Sequence, residues 1–148
     1  MSEVAKYTGV FPIAPTPFNP DGSIDWKSAD RLFNYYSEIG SDGATVLGIM
    51  GEAPKLTAEE SRTFVRQVLR RTQGRVPVVV GASSVGFAPM KELSRSVMDL
   101  GADGVMIAPP STVRTDDQIV AYFDMVNETL GPDIPWCLQD YPMATGVQ

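Results

Sequence analysis

The sequence predicts an α/β fold: a partial (β/α)8 barrel, about the first four βα units plus a fifth strand, within one domain covering residues 1–148. Three observations predict it. Short apolar runs rich in β-branched residues alternate with longer stretches of helical period, in units of roughly thirty residues, as repeated βαβ units require. The segment Gly40-Ser41-Asp42-Gly43-Ala44-Thr45-Val46 is echoed by Gly101-Ala102-Asp103-Gly104-Val105-Met106-Ile107, each between a helix end and a strand start. No linker or break in composition interrupts the repetition, and no Gly-x-Gly-x-x-Gly follows the first strand, which favours a barrel over a doubly wound dinucleotide-binding sheet.

Taken in order, Val10 to Ala14 reads as a first strand, ended by Pro15-Thr16-Pro17-Phe18 and followed by an Asn19-Pro20-Asp21-Gly22 turn. Asp25 caps a helix in which Trp26, Ala29, Leu32, Phe33, Tyr36 and Ile39 keep a helical period until Gly40 stops it. Thr45 to Leu47 is a second, buried strand. Thr57-Ala58-Glu59-Glu60 has the spacing of a capping box and opens a helix with Phe64, Val65, Val68 and Leu69 inward and Gly74 as its stop. Val76 to Val80 is a third strand, and Gly81-Ala82-Ser83-Ser84 forms a small-residue loop at its end. Met90, Leu93, Val97 and Leu100 mark a third helix, closed by Gly101; such a stripe is core packing. Gly104 to Ile107, ended by Pro109-Pro110, is a fourth strand. Thr115-Asp116-Asp117-Gln118 is a second capping box, for a helix with Ile119, Val120, Tyr122, Phe123 and Val126 inward and a Gly131-Pro132 stop. Ile134 to Leu138 is the fifth strand.

Five strands do not close a barrel of this kind, which needs eight and about 250 residues. The chain is therefore expected to be an N-terminal portion, whether as a fragment, a split gene product or one piece of an assembly. Its first and fifth strands would be open apolar edges, predicting poor solubility or self-association.

Composition narrows the function. With 43% hydrophobic and 20% charged residues the chain is an ordinary globular protein rather than a disordered one. No apolar run approaches a membrane span, and Met1–Lys6 lacks the basic-then-apolar pattern of a signal peptide. A net charge of −6 with scattered Lys and Arg disfavours nucleic acid as a partner. There is no histidine, which excludes from this chain a Ser-His-Asp triad, a His-based zinc site and an imidazole base. Cys137, flanked by Trp136 and Leu138, is expected to be a buried core thiol rather than a nucleophile.

The most informative stretch is Ala44 to Leu56. A strand stops at Gly48, and Ile49, Met50, Gly51 and Glu52 follow before Pro54 and the capping box. Two glycines three apart permit a sharp turn with positive φ and bare N–H groups, the layout of a small-anion site at the C-terminal end of a parallel strand. A tight βα turn without a ligand is the alternative. No Gly-Lys-Ser/Thr follows, so it is not a P-loop.

These residues resemble the dihydrodipicolinate synthase and N-acetylneuraminate lyase family of class I, Schiff-base aldolases. The resemblance is carried by Pro15-Thr16-Pro17-Phe18, Asp21-Gly22-x-Ile24-Asp25, Leu47-Gly48-x-x-Gly51-Glu52-x-Pro54-x-Leu56-Thr57-x-Glu59-Glu60, Gly101-Ala102-Asp103-Gly104 and Pro142-x-x-x-Gly146. It implies an eight-stranded TIM barrel, cytoplasmic and usually tetrameric. It further implies a small 2-oxo acid substrate and a sixth-strand lysine that forms an imine, with no metal or organic cofactor.

This sequence departs from the family pattern at the chemical positions. The family's two hydroxyl residues between the glycines, which bind the substrate carboxylate, align with Ile49 and Met50. Its aromatic pair after the fourth strand aligns with Pro110 and Ser111, its proton-relay tyrosine with Gln139, and a common arginine with Ala144; the lysine position lies beyond Gln148. The substrate loop is thus expected at Gly48, Ile49, Met50, Gly51 and Glu52, and the relay position at Gln139. Tyr141, two positions on, would share the face of Gln139 if the strand continued, as a displaced relay or an ordinary half-buried tyrosine. Asp140 is an acid–base candidate or a turn cap. Lys55 is a surface lysine unless it points into the barrel mouth, and Lys6, Lys27 and Lys91 lie elsewhere. Two functions stand: a divergent lyase or aldolase, or a catalytically silent relative with a binding or regulatory role.

Overall fold

The computed structural model describes residues 7–146; Lys6 and the rest of Met1–Lys6 lie outside them, as do Val147 and Gln148. Four strands, β1 (Ala44–Val46), β2 (Val78–Gly81), β3 (Gly104–Ile107) and β4 (Trp136–Leu138), form one sheet in the order β1-β2-β3-β4. All three pairings are parallel. The strands alternate with α1 (Trp26–Glu38), α2 (Ala58–Thr72), α3 (Phe87–Asp99) and α4 (Asp116–Leu130), and a short α5 (Pro142–Thr145) ends the described chain. Sequential order with parallel neighbours is what right-handed βαβ crossovers produce.

The helices begin where their caps place them. The Asp25 carboxylate accepts the Ser28 N–H at 3.0 Å. Complete capping boxes join Thr57 to Glu60 and Thr115 to Gln118. Gly40 (φ +73°) and Gly101 (φ +98°) take the left-handed conformation just past α1 and α3.

The first expected strand is present only in part. Val10 to Ala14 runs beside β1 but pairs at a single parallel bridge, Ile13 with Thr45. Ala14 N–H donates to Thr45 O at 2.8 Å and Thr45 N–H to Pro12 O at 2.9 Å. The next rung would need an N–H on Pro12, which proline lacks.

Register separates the two faces of the sheet. Val46, Val80, Val105 and Trp136 are paired in turn, so they share the face that carries the helices. There Trp136 stacks on Phe123 of α4 with ring centroids 5.9 Å apart. Phe33 of α1 and Phe64 of α2, both fully buried, meet edge to face at 6.4 Å. Val97 and Met90 of α3 and Tyr122, Val126 and Leu130 of α4 complete this core. Val120, expected inward, is exposed, because the buried stripe of α4 is the i, i+4, i+8 row of Tyr122; Ile39, counted in the period of α1, lies past its last turn and is exposed as well.

Thr45, Val79, Met106 and Cys137 share the opposite face. Cys137 is exposed there, not a core thiol, because β4 is the last strand among the described residues. Enough protein surrounds its sulfur for burial to push the thiol pKa up.

The internal echo is a physical equivalence. Asp42 and Asp103 each precede a strand, and each carboxylate accepts a backbone N–H from a preceding extended segment: Val10 to Asp42 and Val78 to Asp103, both at 2.7 Å. The glycine after each aspartate leaves room for a neighbouring segment. A Cβ on Gly43 would overlap the Phe11 ring, and one on Gly104 would come within 3.0 Å of Pro135 O.

Candidate active site

The ends of the parallel strands open on a cleft of about 600 Å³, within the range of small-molecule sites. Gly48 and Ile49 line it after β1, Ser83 and Ser84 after β2, Pro110 and Ser111 after β3, and Gln139 and Ala144 after β4. Each strand therefore contributes through the loop that follows it, as parallel α/β sites are built.

The loop after β1 is held differently from the sequence expectation. Gly48 has φ −76° and ψ −168°, ordinary extended backbone, while Leu47 and Glu52 carry the positive φ, 54° in each. Two short 3-10 turns, Ile49–Gly51 and Ala53–Lys55, use the N–H groups expected to be bare: Gly51 N–H donates to Gly48 O at 3.0 Å and Glu52 N–H to Ile49 O at 3.1 Å. Gly48 serves close packing instead, and Gly51 has ordinary room. A Cβ on Gly48 would meet Ile13 Cγ2 at 3.2 Å, and one on Gly51 would meet Ala14 O at 3.4 Å. Gly81 makes the left-handed Leu47 possible, since a Cβ there would overlap the Leu47 carbonyl.

Thr16 completes this scaffold and was legible in the sequence only as a strand stop. Its buried hydroxyl donates to Gly51 O at 2.7 Å across 35 residues of chain. A threonine between two prolines, which fix the backbone on either side, was the available signal.

Gly48, Ile49 and Gln139 are thus brought to one cleft. Met50 is 59% exposed and is not among the lining residues, Gly51 faces Thr16, and Glu52 pairs with Lys55 on the surface. That pair leaves Lys55 72% exposed, a surface lysine outside the cleft. Gln139 N–H donates to Ile107 O at 2.9 Å, which fixes its backbone in the sheet while its side chain lines the cleft. Tyr141 does not share that face: β4 ends at Leu138, and Tyr141 is the exposed N-cap of α5, outside the lining.

No acid, base or thiol lines the cleft among the described residues. The groups with shifted pKa values lie elsewhere. Tyr7 is raised, chiefly by donating to Asp103 at 2.9 Å, on the far end of the sheet. Tyr122 is raised by burial, and its hydroxyl donates to Ser84 O at 3.2 Å from behind the cleft loop. The polar residues lining the cleft are serines, Gln139 and Thr145, whose hydroxyl donates to Tyr141 O at 3.2 Å; serine hydroxyls and an amide can bind and orient a ligand but cannot move a proton near neutral pH. Among the described residues no cluster of His, Cys, Asp or Glu is able to hold a metal ion, and no helix is long and apolar enough to cross a membrane.

Comparison with known proteins now decides the family. The profile of the Dihydrodipicolinate synthetase family matches residues 6–148. The chain belongs to that family. It is 32% identical over 131 residues to the 4-hydroxy-tetrahydrodipicolinate synthase of Nitrosococcus oceani, covering 88% of this chain and 44% of that protein. It is 30% identical over 147 residues to the putative 2-dehydro-3-deoxy-D-gluconate aldolase YagE of Escherichia coli, covering 99% of this chain and 48% of that one. Among solved structures, a dihydrodipicolinate synthase from Rhodopseudomonas palustris superposes with a TM-score of 0.89 at 52% identity, over 94% of this chain and 46% of that chain. YagE in complex with pyruvate superposes with a TM-score of 0.85 at 30% identity, over 97% and 48%. These neighbours are TIM barrels, so the four parallel βα units are those of a barrel, and the chain spans about half the length of the relatives it matches.

Proposed function

We propose that residues 1–148 are the N-terminal portion of a single TIM-barrel domain and form the ligand-binding side of a divergent lyase or aldolase. Its substrate is of the 2-oxo acid type, and the reaction runs through a lysine imine on a strand beyond this chain. The observation that supports this reading is a cleft at the ends of the parallel strands that is lined by hydroxyl residues and an amide and, among the described residues, by no group for acid–base or nucleophilic chemistry. Such a surface positions a substrate while the reacting amine comes from elsewhere. An imine acts as an electron sink for an adjacent carbanion, and its lysine must be desolvated to be neutral near pH 7. The similarity to YagE in complex with pyruvate supports a 2-oxo acid. We place the protein in the cytoplasm, as a homo-oligomer acting on a small molecule without metal or organic cofactor.

A catalytically silent relative is the second reading, favoured by the replacement of hydroxyl, aromatic and phenol groups at Ile49, Met50, Pro110, Ser111 and Gln139. Borohydride trapping with a panel of 2-oxo acids, on a polypeptide extended through the sixth strand, separates the two. A covalent adduct on a lysine of that strand supports the enzyme, and no adduct with any acid supports the silent relative. The 148-residue chain alone is expected to turn over none of them.

A further inference from the structure

The cleft at the strand ends reaches both sides of the sheet. Gln139 continues the alternation of Cys137, and Ala108 that of Met106, so these lining residues lie on the face turned away from the helices. The lining also includes Ser61 of α2 and Leu93 of α3, which belong to the helix layer on the other face. Between the two sides, Gly48 just past β1 and Gly81 at the end of β2 line the cleft without side chains to divide it. The two helices are tied together beside it, where Arg62 Nη1 donates to Glu92 Oε1 at 3.1 Å. Ser61 is 6% exposed, and its hydroxyl has no hydrogen-bond partner among the described residues. It is not sealed off like the Ser94 hydroxyl, so the access it keeps is to the cleft that it lines. A hydroxyl so placed is met by water or by a ligand group. No charged side chain lines the cleft among the described residues. A charged group brought to Ser61 would lose its water with no counter-charge beside it, a cost that a neutral amide or hydroxyl avoids.

We propose that the cleft continues over the end of the sheet into a subsite on the helix side, where the Ser61 hydroxyl bonds a neutral polar group at the far end of an elongated ligand. The ligand class is a 2-oxo acid whose chain is longer than that of pyruvate and ends in an amide or a hydroxyl. This rests on the 2-oxo acid reading above and adds to it the length and the end group. One net hydrogen bond between neutral groups is worth about threefold or more in affinity.

The test follows the nitrogen-labelled 148-residue chain by amide NMR during titration with pyruvate, with 2-oxoheptanoate and with the terminal amide of 2-oxoadipate. The last two are equal in chain length and differ in the end group. All three acids are expected to shift the Gly48, Gly81 and Gln139 signals, and the two long ones to shift Ser61 and Leu93 as well. Ser61→Ala should lower the affinity for the amide relative to 2-oxoheptanoate by about threefold or more, and leave pyruvate binding unchanged. That variant removes no bond within the protein and places a better helix former on α2, so it keeps the fold. A smaller fall in the relative affinity overturns the bond to Ser61 and leaves water as the partner of its hydroxyl. Ser61 and Leu93 signals that move no further with the long acids than with pyruvate overturn the subsite. In both cases the shifts at Gly48, Gly81 and Gln139 leave the 2-oxo acid reading standing. No shift with any of the three acids overturns that reading, and this one with it.

Discussion

Thr16→Val tests whether the cleft loop is held from below by one buried hydrogen bond. The substitution keeps the branched shape and removes only the donor. Thr16 is 4% exposed, its hydroxyl lies 2.7 Å from Gly51 O, and Gly51 is itself buried, so neither partner can turn to bulk water. Leaving a buried carbonyl without its donor costs about 1–3 kcal/mol. With a urea m-value of about 2 kcal/mol/M, the unfolding midpoint should fall by about 0.5–1.5 M. Thr16→Ser keeps the donor and loses one methyl, so its midpoint should lie much closer to wild type. Equilibrium urea unfolding followed by tryptophan fluorescence measures both. A Thr16→Val midpoint indistinguishable from wild type, or below it by no more than that of Thr16→Ser, would refute the account of how the loop is fixed.

Ser94 is fully buried on α3 and its hydroxyl has no hydrogen-bond partner among the described residues, so Ser94→Ala should raise the urea midpoint, by about 1 kcal/mol of stability. Gly81→Ala should destabilise by about 1–3 kcal/mol in the same assay, because the added methyl must displace the Leu47 carbonyl. Acid should weaken the fold through its turn and cap carboxylates. Asp21 and Asp25 are held below the ordinary carboxylate range by the Ser23 and Ser28 hydroxyls, and Glu60 by the Thr57 N–H. The stability they contribute is present above an unfolded pKa of about 4 and is lost as pH falls through their lower folded values. The midpoint should therefore be flat near neutrality and drop below about pH 4, less steeply in Glu60→Gln. Leu138, 50% exposed on the open edge of β4, should drive self-association, and Leu138→Lys should shift the chain towards monomer in sedimentation velocity.

The helices were readable because their ends are written in local chemistry. Asp25, Thr57 and Thr115 each accept from the backbone three residues on, and no distant contact is needed to see it. The repeat of Asp42 and Asp103 was also visible as spelling, though not its purpose, since the N–H groups they bind lie 32 and 25 residues away. The glycine loop departs from expectation because a glycine advertises positive φ, whereas Gly48 is extended and leaves room for Ile13. Leu47 and Glu52 took the left-handed positions, a conformation no propensity assigns to leucine. At the candidate site, Gly48, Ile49 and Gln139 followed from strand ends and resemblance. The placement of Tyr141 did not, because whether the chain continued as strand or turned into α5 depended on what β4 could pair with.

The two aspartates also imply a division of labour between the rims of the sheet. Both fasten neighbouring segments at the rim where the strands begin, while the cleft opens at the rim where they end. Residues such as Ile49, Ser84 and Ser111 can therefore be exchanged with the clasps left closed. A lineage retaining those two carboxylates is free to rewrite what it recognises without first relearning how to hold together.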